Sequence, residues 1–210
     1  MGGKPSKSSN PGSNDVIMIL LLGPTGAGKS SFINKALGSE TMPVNHKLKP
    51  HRCKVTHVDM KFPYGDGGQT RKIIFVDTPG LNRGDETGQS ELKSKIAAWR
   101  RKNAKKGEIA GILYLDRITD NRATKPPLKQ LEDFAKLYGV SFDKTVFLVT
   151  THWDDLSERL VGERREEEIR ENYWRAPFPH PLRHYHSRES ARNVVRCFLQ
   201  DCIGDSPYGG

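Results

Sequence analysis

The chain has 210 residues, with 34 Lys and Arg against 25 Asp and Glu and a formal net charge of +9, a length sufficient for one domain with its own core. Its three cysteines, Cys53, Cys197 and Cys202, have neither disulfide-framework nor metal-ligand spacing, which points to a reducing compartment. The longest apolar run is Val16–Leu22, far short of the roughly 20 residues of a membrane-spanning helix.

Residues 1–14 are Gly, Ser, Pro, Lys and Asn apart from Met1, the composition of a flexible tether. Met1-Gly2-Gly3-Lys4-Pro5-Ser6 matches the N-myristoylation pattern, with Gly2 as the acceptor once Met1 is removed. One acyl chain gives marginal attachment, so a second, basic signal is needed. Lys4 and Lys7 contribute, and the cluster Lys93, Lys95, Arg100, Arg101, Lys102, Lys105 and Lys106 is the stronger candidate for an anionic membrane surface. The plainer reading of that cluster is a solvated helix face. The expectation is a cytoplasmic protein, associated with membranes if Gly2 is acylated; a fortuitous match in a disordered N-terminus is the alternative.

Val16–Leu22 reads as a buried strand and runs into Gly23-Pro-Thr-Gly-Ala-Gly-Lys-Ser30. This is the G-x-x-x-x-G-K-S phosphate-binding loop, followed by the helical pattern Ser30–Leu37 as its mechanism requires. Gly23, Gly26 and Gly28 let the backbone of Thr25 and Ala27 wrap phosphate oxygens. The helix opening at Lys29 adds its positive end, along Ser30 and Ser31. Lys29 reaches the β- and γ-phosphates as a point charge, and the Ser30 hydroxyl ligates Mg²⁺. The pattern predicts binding of a nucleoside triphosphate.

The polar segment 38–53, with Pro43 and Pro50, reads as a loop ordered by a γ-phosphate. Thr56, opening the alternating edge strand Thr56–Phe62, is the candidate to close over Mg²⁺, with Thr41 as runner-up and an ordinary β-prone residue as the alternative. Lys72–Val76 reads as a second buried strand ending in Asp77-Thr-Pro-Gly80. Asp77 then sits at the carboxyl end of a strand beside the phosphate loop, where it supports Mg²⁺, and Gly80 offers its N–H to the γ-phosphate. This Asp-x-x-Gly resembles the second switch of GTPases.

Glu91–Arg101 puts Leu92, Ile96 and Trp99 on one helical stripe, and Leu128, Leu131, Phe134, Ala135 and Tyr138 do the same after Pro127. Lys144–Thr150 reads as a strand leading into Thr151-His152-Trp153-Asp154. GTPases end this strand in Asn/Thr-Lys-x-Asp, the Asp taking two hydrogen bonds from guanine; here Asp154 supplies the carboxylate and His152 replaces the lysine. A helix-capping role for Asp154 or Asp155 is the alternative. Residues 156–175 read as a charged helix, Leu182–His186 as a last strand, and Ser187–Ala191 as a turn in which Ser187 and Arg188 lend backbone N–H groups to the base. A closing helix follows from about Ser190 to Cys202. His180, His184 and His186 read as surface or packing residues.

The strand–helix alternation predicts an α/β fold: a three-layer P-loop NTPase of Ras-like G-domain type with a mainly parallel sheet. The G domain spans residues 15–203, between the 1–14 tether and a 204–210 tail. Gly23–Ser30, Asp77-Thr-Pro-Gly-Leu81, Leu115-Asp-Arg-Ile-Thr-Asp120 and Thr151-His-Trp-Asp-Asp-Leu156 resemble the septin-related GTPases. Within that group they look like the immunity-associated GTPases and their small single-domain fungal relatives. That resemblance implies GTP and GDP as ligands, Mg²⁺ as cofactor, slow intrinsic hydrolysis and a homodimer across the nucleotide face.

Basic residues without interleaved stacking aromatics give no nucleic-acid motif. Leu81 stands where Ras-like GTPases place a water-orienting Gln, and an aliphatic side chain cannot orient water. Either Thr56, Asn82, Arg117 or a dimer partner positions the water, or turnover is slow. Three readings stay open: a slow GTP-hydrolysing switch, a GTP-dependent self-assembling scaffold, and an ATP-using phosphotransferase without a visible acceptor site.

Overall fold

The computed structural model describes residues 16–44, 54–63, 70–80, 86–120, 128–174 and 178–203. The tether with Gly2, the tail from 204, Leu81, Asn82 and Cys53 lie outside the described residues. The first strand, β1 (Ile17–Leu22), is apolar throughout because both its faces are covered. Ile17, Ile19 and Leu21 enter one core, and Met18, Leu20 and Leu22 enter the other.

After β1 come α1 (Lys29–Leu37), β2 (Thr56–Pro63), β3 (Thr70–Asp77), α2 (Glu86–Lys102), β4 (Ile109–Arg117) and α3 (Leu128–Tyr138). The short α4 (Phe142–Thr145), then β5 (Val146–Thr151), α5 (Arg159–Asn172), β6 (Leu182–Arg183) and α6 (Arg188–Ile203) complete the order. The six strands form one sheet, β2-β3-β1-β4-β5-β6. Every pairing is parallel except that of the edge strand β2 with β3. Helices α1 and α6 cover one face through Phe32, Ile33, Val194, Val195 and Phe198. Leu92, Ile96 and Trp99 of α2, Leu131 and Phe134 of α3 and Ile169 of α5 cover the other. This is the three-layer α/β G-domain architecture, and it brings the carboxyl ends of β1, β3, β4 and β5 to one rim, where ligands of such sheets bind.

Several boundaries differ from the sequence reading for local reasons. β5 begins at Val146 because Phe142–Thr145 coil into α4, with the Thr145 hydroxyl donating to the Ser141 carbonyl at 2.7 Å. α5 is shorter than 156–175: the N–H groups of both Tyr173 and Trp174 turn back to the Ile169 carbonyl and end it. β6 leaves the sheet early, since the Tyr185 N–H goes to Ser190 Oγ at 3.0 Å instead of to β5. The segment after Ser187 is not a turn but the first turn of α6. Ser187 caps it, its Oγ accepting from the Ser190 N–H at 3.1 Å and its carbonyl from the Ala191 N–H at 3.1 Å.

Candidate functional site

The phosphate loop runs from the end of β1 into α1. Gly23 is packed so closely that a Cβ there would collide with the Leu115 carbonyl of β4. Gly28 stands at φ 83°, a left-handed conformation that favours glycine, directly before the first helical residue. Between them Thr25 and Gly26 are exposed and Ala27 is buried. Thr151, the last residue of β5, fixes the loop's height: its hydroxyl lies 3.1 Å from the carbonyls of both Ala27 and Asp116.

Lys29 is buried, and its ammonium donates to the carbonyls of Gly23 and Pro24, each at 2.9 Å. The cation thus lies along the loop's inner side, where a phosphate bound to the loop would meet it. Ser30 Oγ donates to Asp77 Oδ2 at 2.6 Å, joining α1 to the end of β3. The chemistry of that pair fits Mg²⁺, a hard cation that takes hydroxyl and carboxylate oxygens and draws further ligands from phosphates and water. Among the described residues no three His, Cys, Asp or Glu side chains gather as a metal site, so such a cation would draw the rest of its shell from a ligand.

Thr56 starts β2 directly opposite Asp77 in the antiparallel ladder, and is exposed at the rim. The runner-up, Thr41, lies elsewhere. Asn34 holds the neighbouring Met42 through two 2.7 Å bonds, and Thr41 pairs with Ser39 beside the carboxyl end of α1. Gly80 closes against the loop: a Cβ on it would strike Thr25 Oγ1 and lie 2.6 Å from Thr25 N and 2.8 Å from Thr25 Cα.

Beside the loop lies a cavity of about 440 Å³, lined by Gly26, Gly28, Ser31, Val44, Thr151, His152, Asp154, Asp155, His184 and His186. It brings the sequence-predicted Ser31, His152 and Asp154 together with the loop glycines. Ser187 and Arg188 are not among its lining residues. Ser187 is the α6 cap, and the Arg188 guanidinium packs within 3.0 Å of where a Cβ on Gly38 would stand, at the far end of α1. The described bonds use the N–H groups of His184, to the Thr150 carbonyl, and of Tyr185, to Ser190 Oγ.

His184 and His186, read from the sequence as surface or packing residues, are walls of this cavity. Their i, i+2 spacing just after β6, which would put both on one side of a strand continued past it, is the signal that could have found them. His184 is 3% exposed. Its Nδ1 lies 2.9 Å from Ser190 Oγ, while Nε2 is buried without a hydrogen-bond partner. Burial pushes its pKa down to about 4, helped by the neighbouring His186, His152 and Lys35. His152, with Nδ1 2.8 Å from the Thr151 hydroxyl, is also held below the ordinary imidazole value, by burial first and by the Arg117 charge second. The Arg117 side chain reaches from the end of β4 to within 3.6 Å of a Cβ position on Gly26, and pairs with Asp120 at 3.7 Å.

A phosphate cradle, a Ser–Asp pair suited to Mg²⁺ and a carboxylate lining the adjoining cavity agree with what the chain resembles. The model of the family described as 50S ribosome-binding GTPases matches residues 18–152. The chain belongs to that GTPase family. GTPase Era of Campylobacter concisus is 29% identical over 146 residues, covering 70% of this chain and 43% of that protein. Translocase of chloroplast 108 of Physcomitrium patens is 31% identical over 134 residues, 64% of this chain and 13% of that protein. The chain spans less than half the length of these relatives. Among solved structures, Toc33 from Arabidopsis thaliana in complex with Mg²⁺ and GMPPNP superposes with a TM-score of 0.64 at 19% identity, covering 92% of this chain and 87% of that one. Era in complex with MgGDPNP and a piece of 16S ribosomal RNA gives 0.56 at 17% identity, covering 94% and 60%. At these identities the likeness is one of fold.

Proposed function

We propose that this protein is a guanine-nucleotide switch that binds GTP with Mg²⁺ and hydrolyses it slowly as a monomer. The observation that carries the reading is the single cavity joining Gly26, Gly28 and Ser31 to Asp154. A carboxylate at the base end selects guanine, because adenine would leave it unpaired. Lys29 and the first-turn N–H groups of α1 hold the phosphates. Ser30, Asp77 and Thr56 would hold Mg²⁺, which when bound neutralises charge developing on the phosphates. Gly80 brings its backbone to the loop without a side chain in the way. No group suited to orienting water is supplied by Leu81, so monomer turnover is expected near the intrinsic rate of about 10⁻⁴ to 10⁻³ s⁻¹.

Within the family, the septin-related branch is supported by Arg117-Ile-Thr-Asp120 and by His152 ahead of Asp154. Arg117, standing at Gly26 on the rim, favours pairing of two chains across the nucleotide face. One of the similar structures is described by the statement that dimerization is important for the GTPase activity of atToc33 and psToc159. In our reading residues 15–203 act as one G domain. The tether, lipidated at Gly2, would place it on an anionic membrane from the cytoplasm. Among the described residues no helix is long and apolar enough to cross a membrane.

Light scattering with GDP and with a non-hydrolysable GTP analogue, run beside single-turnover hydrolysis at several protein concentrations, tests the paired state. The expected result is a dimer with the analogue and a rate per molecule that rises with concentration. A monomer in both states with a constant rate removes the self-assembling scaffold and leaves a simple slow switch.

A further inference from the structure

The β6–α6 junction forms one wall of the cavity through His184 and His186, whereas Ser187 and Arg188, expected to meet the base, do not line it. Only two non-glycine residues among those described have positive φ, His152 at 63° and His186 at 46°, and both line this cavity. Such backbone conformations persist where surrounding structure over-determines them, and they gather at ligand sites. His186 also reaches across from its own element: its Nδ1 lies 3.4 Å from the Ser31 hydroxyl of α1.

The position of Ser31 defines what would lie between them. Ser31 is the third residue of the nine-residue α1, so its N–H is one of those the helix leaves unpaired at its positive end. It lines the cavity together with Gly26 and Gly28, whereas Lys29 and the Ser30–Asp77 pair are not among the lining residues. A phosphate over Ser31 therefore lies on the nucleoside side of the pair that suits Mg²⁺, where the phosphate attached to the ribose belongs. Resting on the nucleotide reading above, we infer that His186 is a phosphate-contacting residue: with Ser31 it grips the α-phosphate of the bound nucleotide from the β6–α6 side. The imidazole donates through a ring N–H, neutral or charged. His184, anchored to Ser190, lies beside it at 6.3 Å between ring centroids.

The test is competition of guanosine, GMP and GDP against a fluorescent GDP analogue on the full chain. It compares wild type with His186→Gly, which accepts positive φ but has no side chain, and with His186→Asn, which accepts positive φ and restores a short donor. Removing a hydrogen bond to a charged phosphate is expected to weaken GMP and GDP about tenfold. Guanosine should bind His186→Gly within about twofold of wild type, and His186→Asn should recover much of the loss on GMP. Unchanged GMP binding in His186→Gly, or an equal loss for guanosine and GMP, overturns the inference, the latter marking a structural role in the loop. If wild type binds none of the three ligands, the nucleotide reading fails first, and that outcome is distinct from either.

Discussion

His184 couples the cavity wall to the stability of the whole domain. In the folded protein its pKa lies at about 4, whereas an unfolded chain's imidazole titrates near 6.5. Between those values the unfolded state holds a proton that the native state refuses, so stability falls as pH drops through this window and levels off below it. The full separation corresponds to about 3 kcal/mol, of which about 2 kcal/mol should be lost by pH 5. That is a substantial share of the roughly 5–15 kcal/mol that holds a domain folded. His184→Asn retains an amide donor for Ser190 Oγ and removes the titration. Urea unfolding at pH 8, 6 and 5, followed by the fluorescence of the buried Trp99, Trp153 and Trp174, measures both proteins. Whatever fixed cost the substitution carries, wild type should lose about 2 kcal/mol more than the variant between pH 8 and pH 5. Parallel pH profiles would refute the buried neutral imidazole.

Gly80→Ala should force the 78–80 segment off Thr25 and lower the urea midpoint by the equivalent of about 1–3 kcal/mol, the cost of overpacking; a wild-type midpoint would mean that Gly80 does not close on the loop in solution. Asp154→Asn should exchange guanine for xanthine preference, because the base's second carbonyl then meets an amide donor. An unaltered GTP-over-XTP ratio in competition binding would move base reading to Asp155 or elsewhere.

Much of this architecture is legible in the chain because strong local signals coincide with global ones. The run Val16–Leu22 has no polar position, which suits only a strand buried on both faces, and the glycines after it have one common use. Asp77 and Thr56 could be assigned to one rim from strand ends alone, and the ladder pairs them. What the sequence hid depends on tertiary contacts. Ser187-Arg-Glu-Ser190 reads as a turn until the Ser187 cap and the α6 packing make it helix. Thr41 ranks behind Thr56 in the sequence, and only the Asn34 clip on Met42 shows it held beside the carboxyl end of α1. His184 and His186 read as surface or packing residues, and only the fold shows that both also line the cavity, His184 packed against Phe32 and His186 within 3.4 Å of the Ser31 hydroxyl.

The central claim is that the phosphate loop with Lys29 and the adjoining cavity with Asp154 together take one guanine nucleotide. Calorimetric titration of nucleotide-stripped protein with GTP and with ATP, in Mg²⁺, tests it most directly, with Lys29→Ala as the companion variant. The account predicts saturable one-to-one binding of GTP, ATP weaker by several orders of magnitude through the unpaired carboxylate, and GTP affinity reduced about ten- to a hundredfold in Lys29→Ala. Equal affinity for ATP and GTP, or wild-type binding by Lys29→Ala, would contradict it.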